Sequence, residues 1–213
     1  MSNIFEAINP QIKKRRVYFS FHYQNDIWRV NQVRNSWRYQ QENDREAEGF
    51  FDGSIWESSR RTGPDSLKTL IREGMKNTSV TCILVGAETY GRRWVRYEVA
   101  RSIIKGNGLL VVKIHRLKNQ TGYESNPGPN PLDHMGIYQI DDGRLLLAEK
   151  NNGKWVRYDD YIQAVTLPAS WQRPMPNTVL PLSIYAREYC YVTNDGQQNF
   201  NVWVRHAAGM TGT

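Results

Sequence analysis

The amino-acid sequence predicts an α/β fold in which a doubly wound, mainly parallel sheet is covered by helices on both faces. Segments of strand length that are apolar on both faces alternate along the chain with segments that carry one apolar stripe at helical spacing. The chain has 213 residues, of which 39% are hydrophobic, and this size suits one large domain with an appendage. Together these observations favour a single sheet buried between two layers of helices.

The first strand is predicted over residues 17–22, an apolar and aromatic run. A helix is predicted over residues 27–39, with Asp26 as its N-cap. Its apolar side chains recur at spacings of three and four: Ile27, Val30, Val33 and Trp37. Residues 49–52, a short apolar stretch that ends at an acidic residue, predict a second strand.

The alternation of helix and strand continues in the middle of the chain. Helical spacing of leucine, isoleucine and methionine predicts a helix that opens at residues 64–66 and continues to Met75, and the β-branched run 80–86 predicts a strand. The next helix is predicted to begin near Trp94 and to end at Gly106, since glycine is typical of helix C-termini. Residues 109–115 predict another apolar strand.

Beyond residue 116 the regular alternation stops. Residues 119–135 are rich in Gly, Pro and Asn and predict a long loop. Short strands are predicted over residues 154–158 and 189–192, and an ordered tail over residues 199–205. The predicted organisation has three parts: an N-terminal tail (1–15), a core domain (16–135) and a C-terminal extension (136–213) that packs on or completes the core domain.

Composition argues against several functional classes. The longest apolar runs are far shorter than the roughly 20 residues of a membrane-spanning helix, and the N-terminus lacks the apolar region of a secretory signal. We therefore expect a cytoplasmic protein with no membrane partner. The two cysteines, Cys82 and Cys190, are far apart and the four histidines are scattered, so neither a disulfide framework nor a metal site is expected.

The charge balance is basic, with 28 Lys and Arg against 21 Asp and Glu and a formal net charge of +7. Such a balance would allow an anionic partner, including nucleic acid. The basic residues are spread along the chain, however, and form no dense arm that tracks phosphates. A solvated basic surface is the simpler interpretation, and nucleic acid is not an expected partner.

Candidate functional residues follow from a general rule: in an open parallel sheet, ligands bind beyond the carboxyl ends of the strands. The rule selects three groups, namely Ser20, Phe21 and His22 after the first strand, Asp52, Ser54 and Trp56 after the second, and Arg92, Trp94 and Glu98 after the third. Trp94 and Glu98 are four residues apart, so they lie on one helical face. An aromatic ring beside a carboxylate suits a cationic or ribosylated ligand.

The same residues also have a purely structural interpretation. Val95 and Val99 are expected to face the core, so Glu98 could form a surface ion pair with a neighbouring arginine. Trp94 could pack in the core, and Ser20 and Asp52 could be turn or cap residues. The residue pattern alone leaves these alternatives open.

Five stretches of the chain match, in order, the motifs of one known family: residues 17–24, 50–52, 77–86, 92–99 and 128–131. The most specific is Trp94-Val95-x-x-Glu98 after the strand at 80–86. On these motifs the sequence resembles a Toll/interleukin-1 receptor (TIR) domain, and in particular the TIR-like ThsB family of bacterial Thoeris anti-phage systems. The similarity covers residues 16–135 and continues more weakly to Gly153-Lys154-Trp155.

The resemblance implies a flavodoxin-like fold and an enzyme that cleaves NAD at the nicotinamide–ribose bond, with Glu98 as the catalytic residue. NAD is then the substrate, and no cofactor is expected. The implied product is a cyclic ADP-ribose isomer that activates a separate nucleotide-sensing effector in response to a phage-derived trigger, leading to abortive infection. The implied substrate-binding residues are Phe19, Ser20, Phe21, Asp52, Trp56 and Trp94. The loop of residues 53–64, which begins at Gly53 and ends at Pro64, corresponds to a TIR loop that often mediates self-association.

One carboxylate is sufficient for this reaction. A typical glycosidase needs an acid for its leaving group and a base or nucleophile for the sugar. Nicotinamide instead leaves from a pyridinium as a neutral amide and needs no proton. Glu98 is expected to accept hydrogen bonds from the ribose and to stabilise an oxocarbenium-like transition state, with Arg29, Arg34 or Arg92 at the pyrophosphate. The alternative from another class is a TIR-like scaffold that mediates protein assembly without turnover.

Overall fold

The computed structural model describes residues 15–39 and 63–212. These contain eight strands, β1 (Val17–Phe21), β2 (Val80–Val85), β3 (Gly108–Lys113), β4 (Met135–Gln139), β5 (Leu145–Asn151), β6 (Lys154–Arg157), β7 (Val179–Pro181) and β8 (Arg187–Cys190). They also contain four α-helices, α1 (Tyr23–Tyr39), α2 (Pro64–Gly74), α3 (Arg93–Lys105) and α4 (Gly196–Gly209). None of the helices in these two described ranges is long and apolar enough to cross a membrane.

The main sheet has the strand order β1-β2-β3-β8, and every neighbouring pair is parallel. All six residues of β2 are buried, because β2 has a strand on either side and side chains packed on both faces. This is the environment that a continuous apolar run predicts. The predicted α/β fold class with a mainly parallel sheet is confirmed.

Helices cover both faces of the main sheet. On one face, α1 and α4 supply Trp37, Phe200 and Trp203 to a core that includes Phe19 of β1. On the other face, α2 and α3 pack against the sheet, with Tyr18 of β1 buried among apolar residues of α2. Alternation of side chains along a strand explains why neighbouring residues of β1 belong to different cores.

The C-terminal extension forms a second sheet, which is antiparallel and has the order β6-β5-β4-β7. Its apolar residues share one core with α3 and with the α3-facing side of the main sheet. The last strand, β8, pairs with β3 at the edge of the main sheet, and α4 then packs on the opposite face. The extension therefore contributes to both cores. The second sheet as a whole was not predicted from the sequence.

Several predicted boundaries need correction. Helix α1 begins at Tyr23, a turn before the predicted start, because the Asp26 amide already donates to the His22 carbonyl. Asp26 is therefore not an N-cap. Its buried carboxylate instead lies 3.8 Å from Arg29 and accepts a bond from Thr89. The predicted tail is helix α4, and the predicted second strand at residues 49–52 lies outside the described residues.

The end of α3 agrees with its prediction. Gly106 follows the helix with φ of 77°, in the left-handed region that glycine adopts without strain. Its amide donates to the Ile103 carbonyl and so closes the last turn. The chain then enters β3 directly, which fixes the position of α3 relative to the sheet.

Candidate active site

The site is built around Glu98, which lies in the second turn of α3. This turn packs on β1, and the Glu98 side chain is only 6% exposed. Its Oε1 accepts a 2.7 Å hydrogen bond from the Tyr18 hydroxyl, and its Oε2 accepts a 2.6 Å bond from the Ser20 hydroxyl. Tyr18 and Ser20 are two residues apart on β1, so both side chains point to the face that α3 covers.

Burial sets the ionisation of this carboxyl. Removal of water from around Glu98 disfavours its charged form and raises its pKa from 4.5 to about 7. The hydrogen bonds from Ser20 and Tyr18 act in the opposite direction, because they stabilise the carboxylate. Each carboxylate oxygen can accept two bonds, and each accepts one from the residues described here. Glu98 thus retains acceptor capacity for a ligand and titrates near neutral pH.

A cleft of about 240 Å³ lies between the end of β1 and the start of α3. It is lined by Phe21, His22, Tyr23, Gln24, Gly91, Arg92, Arg93, Trp94 and Val95. Glu98 is one helical turn beyond Trp94, and its partner Ser20 directly precedes Phe21. Glu98 is thus linked to the cleft through two neighbours, Trp94 on its own helix and Phe21 next to Ser20 on β1, which both place aromatic rings in the lining.

Two helices begin at this cleft. Residues of the first turns of α1 and α3 line it, and the first amides of a helix have no partner within the helix. The N-cap residue of α3, Arg92, makes no side-chain cap hydrogen bond to that turn. Two positive helix termini that converge on one cleft favour an anionic ligand.

Two polar side chains in the cleft have unused hydrogen-bonding atoms. Within the described parts of the chain, the buried His22 Nδ1 and Arg92 Nε have no hydrogen-bond partner. Burial and the nearby Arg92 lower the pKa of His22, so its ring is neutral near pH 7. Glu88 forms an ion pair with Arg92, accepts a 3.1 Å bond from Asn25 and lies 4.0 Å from His22 Nδ1. Arg92 is thus partly neutralised at the mouth of the cleft.

The structure brings together four of the residues predicted for the site. Ser20 is bonded to Glu98, and Phe21 and Trp94 line the adjacent cleft. Phe19 is not brought to them: it lies on the opposite face of β1, with its ring 5.8 Å from that of Trp37. The Phe19 side chain is therefore part of the core under α1 and α4. The predicted site residues Asp52 and Trp56, and residues 53–62 of the predicted self-association loop, lie outside the described residues.

The three arginines considered for the pyrophosphate differ in position. Arg92 lines the cleft. Arg29 is buried elsewhere, where it donates 2.8 Å and 3.1 Å bonds to the carbonyls of Leu117 and Tyr123. Arg34 contacts Asn31 on α1. Of the three, only Arg92 lines this cleft.

Sequence reasoning missed Tyr18 and gave His22 no definite role. The strand-end rule selects residues where a strand finishes, whereas Tyr18 is the second residue of β1. The period of two along a strand was a usable signal, since it places Tyr18 on the same face as Ser20. Among residues 15–39 and 63–212, no three His, Cys, Asp or Glu side chains are grouped so that they could hold a metal ion.

Comparisons with known proteins agree with this architecture. The family model for the TIR-like domain of Thoeris protein ThsB matches residues 18–119. A protein of Bacillus cereus (strain MSX-D12) with the name "Putative cyclic ADP-D-ribose synthase ThsB1" is 42% identical over 195 residues, which cover 89% of this chain and 98% of the relative. That coverage includes most of the C-terminal extension. The chain therefore belongs to the ThsB family of Thoeris proteins.

Proposed function

We propose that this protein is a TIR-like signalling enzyme of anti-phage defence that cleaves NAD at the nicotinamide–ribose bond and forms a cyclic ADP-ribose isomer. The observation that carries the proposal is the buried Glu98 carboxylate, held by Tyr18 and Ser20 beside a cleft with aromatic and cationic walls. The name of the Bacillus cereus relative, a cyclic ADP-D-ribose synthase, supports the same activity.

The cleft offers matching groups for a dinucleotide. The two helix N-termini and Arg92 provide donors and positive charge for the pyrophosphate. Phe21 and Trp94 offer aromatic surface for the planar rings, and the pyridinium of NAD is attracted to such faces. With the pyrophosphate at the helix termini, the nicotinamide ribose is directed toward Glu98, one helical turn beyond Trp94.

Bond cleavage places positive charge on the ribose. The bond between C1′ and the nicotinamide nitrogen breaks, its electron pair goes to that nitrogen, and the sugar becomes oxocarbenium-like. The Glu98 carboxylate accepts hydrogen bonds from the ribose hydroxyls and stabilises this charge electrostatically. A bound pyridinium lowers the pKa of Glu98 below its value in the free protein, because a nearby cation favours the ionised carboxylate.

Cyclisation requires a nucleophile of the same molecule at C1′. An adenine nitrogen or a ribose hydroxyl forms the new bond when water is excluded, and a hydroxyl then releases one proton. Glu98, with a pKa of about 7, is suited to accept that proton. The cyclic product then acts as a second messenger for a separate effector in the cytoplasm, after a phage-derived trigger, and the outcome is abortive infection.

The experiment compares the wild type with Glu98→Gln, with and without phage infection, by mass spectrometry of nucleotides in cell lysates. The matched control is Glu73→Gln, which changes an exposed glutamate of α2 that pairs with Lys76. We expect nicotinamide and a product lighter than NAD by one nicotinamide in the wild type and the control, and neither in Glu98→Gln.

Three other outcomes would contradict all or part of this proposal. If none of the three proteins forms product although all three protect the cells, the enzyme proposal fails and the scaffold interpretation replaces it. If Glu98→Gln keeps full product formation, another residue performs the chemistry. If the product is linear ADP-ribose, formed by hydrolysis, the proposed cleavage of NAD stands and the proposed cyclisation is wrong.

A further inference from the structure

Asp160 links the C-terminal extension to two helices of the core domain. It lies in the turn that follows β6, and its carboxylate accepts two hydrogen bonds from Arg93 of α3, from Nε at 2.9 Å and from Nη2 at 2.8 Å. Lys68 of α2 contacts the same carboxylate, with Nζ 3.0 Å from Oδ1. One carboxylate thus joins the extension, α2 and the first residue of α3.

This contact differs from an isolated surface ion pair, although the Arg93 side chain is 58% exposed. Isolated exposed pairs contribute little, whereas two-pronged arginine contacts and networks of charges contribute more. The Asp160 side chain is 14% exposed and neutralises two cations at once. Hydrogen bonds from Arg93 lower the pKa of Asp160 to about 2, so the carboxylate is ionised throughout the physiological range.

The position of Arg93 gives the contact its functional meaning. Arg93 lies between Arg92 and Trp94, and all three residues line the cleft beside Glu98. The Arg93 guanidinium also lies 5.2 Å from the centre of the Trp94 ring. Since Asp160 holds the guanidinium, it restrains the first residue of α3 and the helical turn that begins there.

We propose that Asp160 is a positioning residue for the reaction at Glu98, because it holds the first turn of α3 so that Arg92 and Trp94 can receive the dinucleotide. This inference rests on the proposed function. Asp160 does not touch the reacting atoms. Glu98 itself is held separately, by Tyr18 and Ser20 of β1. Loss of Asp160 should therefore affect the binding of the substrate and leave the position of Glu98 unchanged.

The inference is tested with Asp160→Asn, which keeps the size of the side chain and removes its charge. The KM for NAD should rise about five- to ten-fold, because the first turn of α3 loses a charge-assisted restraint, while kcat stays within about two-fold of wild type. Asp160→Glu should restore most of the loss, because it returns the carboxylate. The matched control is Glu149→Gln, which breaks the 2.7 Å ion pair with Arg96 of the same helix but alters no cleft-lining residue.

The result that overturns the inference is a lower unfolding midpoint for Asp160→Asn with unchanged KM, since Asp160 would then only stabilise the fold. If the wild type turns over no NAD, that result contradicts the proposed function and leaves the role of Asp160 to a binding measurement. Titration calorimetry with ADP-ribose then decides about Asp160. Binding at least five-fold weaker in Asp160→Asn than in wild type supports the positioning role, and equal binding, or no binding by the wild type, overturns it.

Discussion

Tyr18 and Glu98 are 80 residues apart in the chain, and the Tyr18 hydroxyl donates a 2.7 Å hydrogen bond to Glu98 Oε1. Ser20 makes the second bond to the same carboxylate. The acid of the candidate site is thus carried by α3 and held by two hydroxyls of the first strand of the sheet. Burial and hydrogen bonding oppose each other, since burial raises the pKa of Glu98 and the two hydroxyls lower it.

Removal of the Tyr18 hydroxyl should move the pH dependence of activity. In Tyr18→Phe the Glu98 carboxylate loses one donor, so its pKa rises above about 7 and the acid limb of kcat/KM shifts to higher pH. Activity should fall more at pH 7 than at pH 8.5. The measurement is a pH–rate profile of NAD cleavage for both proteins.

Tyr158→Phe is the matched control for this profile. Tyr158 is also a buried tyrosine, and within the described part of the chain its hydroxyl has no hydrogen-bond partner. Its removal should leave the acid limb in place. If the acid limb shifts equally in both variants, general loosening of the core is responsible. If the acid limb of Tyr18→Phe does not shift, the Tyr18 hydroxyl does not influence the pKa of Glu98.

Glu98 should reduce the stability of the fold at high pH. Its pKa is about 7 in the folded protein against 4.5 as the unperturbed value, so the folded state binds the proton more tightly. The free energy of unfolding therefore falls as the pH rises from 4.5 to 7, by up to about 3 kcal/mol in all. We expect Glu98→Gln to be more stable than wild type at pH 8, with the difference nearly absent at pH 4.

Urea unfolding at the two pH values measures this effect. Glu73→Gln is the control, since Glu73 is exposed and a surface substitution there should change stability by no more than about 0.5 kcal/mol. A Glu98→Gln protein that is less stable than wild type at pH 8 would contradict the prediction. It would mean that the two hydrogen bonds outweigh the desolvation of the carboxylate.

Glu88 should weaken the binding of anionic ligands. Its carboxylate pairs with Arg92 at the mouth of the cleft and competes with a phosphate for that guanidinium. In Glu88→Gln the affinity for ADP-ribose should increase about three-fold at low salt, an effect typical of an exposed charge, and the increase should shrink at high salt. Arg92→Gln should change the affinity in the opposite direction.

Titration calorimetry with ADP-ribose measures these affinities. The control is Asp142→Asn, which removes an exposed carboxylate that pairs with Arg144 on the second sheet. If Asp142→Asn strengthens binding as much as Glu88→Gln does, the effect comes from net charge and not from the release of Arg92.

A side chain at Gly128 should destabilise the fold. A Cβ atom at this position would lie 2.0 Å from the Gly86 carbonyl oxygen and 2.8 Å from that of Ala87, at the end of β2. Both atoms belong to the backbone, so the loop must move away from the strand end. Gly128→Ala should lower the free energy of unfolding by about 1–3 kcal/mol, measured by urea unfolding.

Gly209→Ala is the matched substitution, because no atom lies within 4 Å of a Cβ built at this last residue of α4. Its stability should equal or slightly exceed that of wild type, since alanine favours helix over glycine. Equal stability of Gly128→Ala and wild type would show that the loop at residue 128 is not held against β2.

Local patterns predicted the main sheet and its helices well. The apolar runs at β2 and β3 reflect burial on both faces, and the end of α3 at Gly106 follows from the conformation that glycine allows. Of the second sheet only β6 was predicted, at residues 154–158, and the pairing of β4 with β7 was missed because both strands are short and lie far apart in the chain. Gly136 of β4, for example, pairs with Pro181 of β7, and neither residue type favours strands.

The candidate site was predicted in part. The rule of strand ends and the spacing of Trp94 and Glu98 located the helix, its carboxylate and the adjacent Ser20. Phe19, which the resemblance implied as a substrate-binding residue, lies on the opposite face of β1 from Ser20, because successive side chains of a strand alternate. Asp26 was read as a helix cap because acidic residues commonly precede helices, yet its carboxylate is buried against Arg29 and Thr89.

By itself the sequence determined the α/β class, the main strands and helices, and Glu98 as the candidate catalytic residue. Only the tertiary structure decided that Tyr18 and Ser20 hold this carboxylate, that its pKa rises to about 7, and that Asp160 anchors the helix that carries it. The physical reason is how far apart in the chain the interacting residues lie. Periodicity and capping depend on neighbours a few residues away, whereas burial, charge pairing and pKa depend on segments that meet only when the chain has folded.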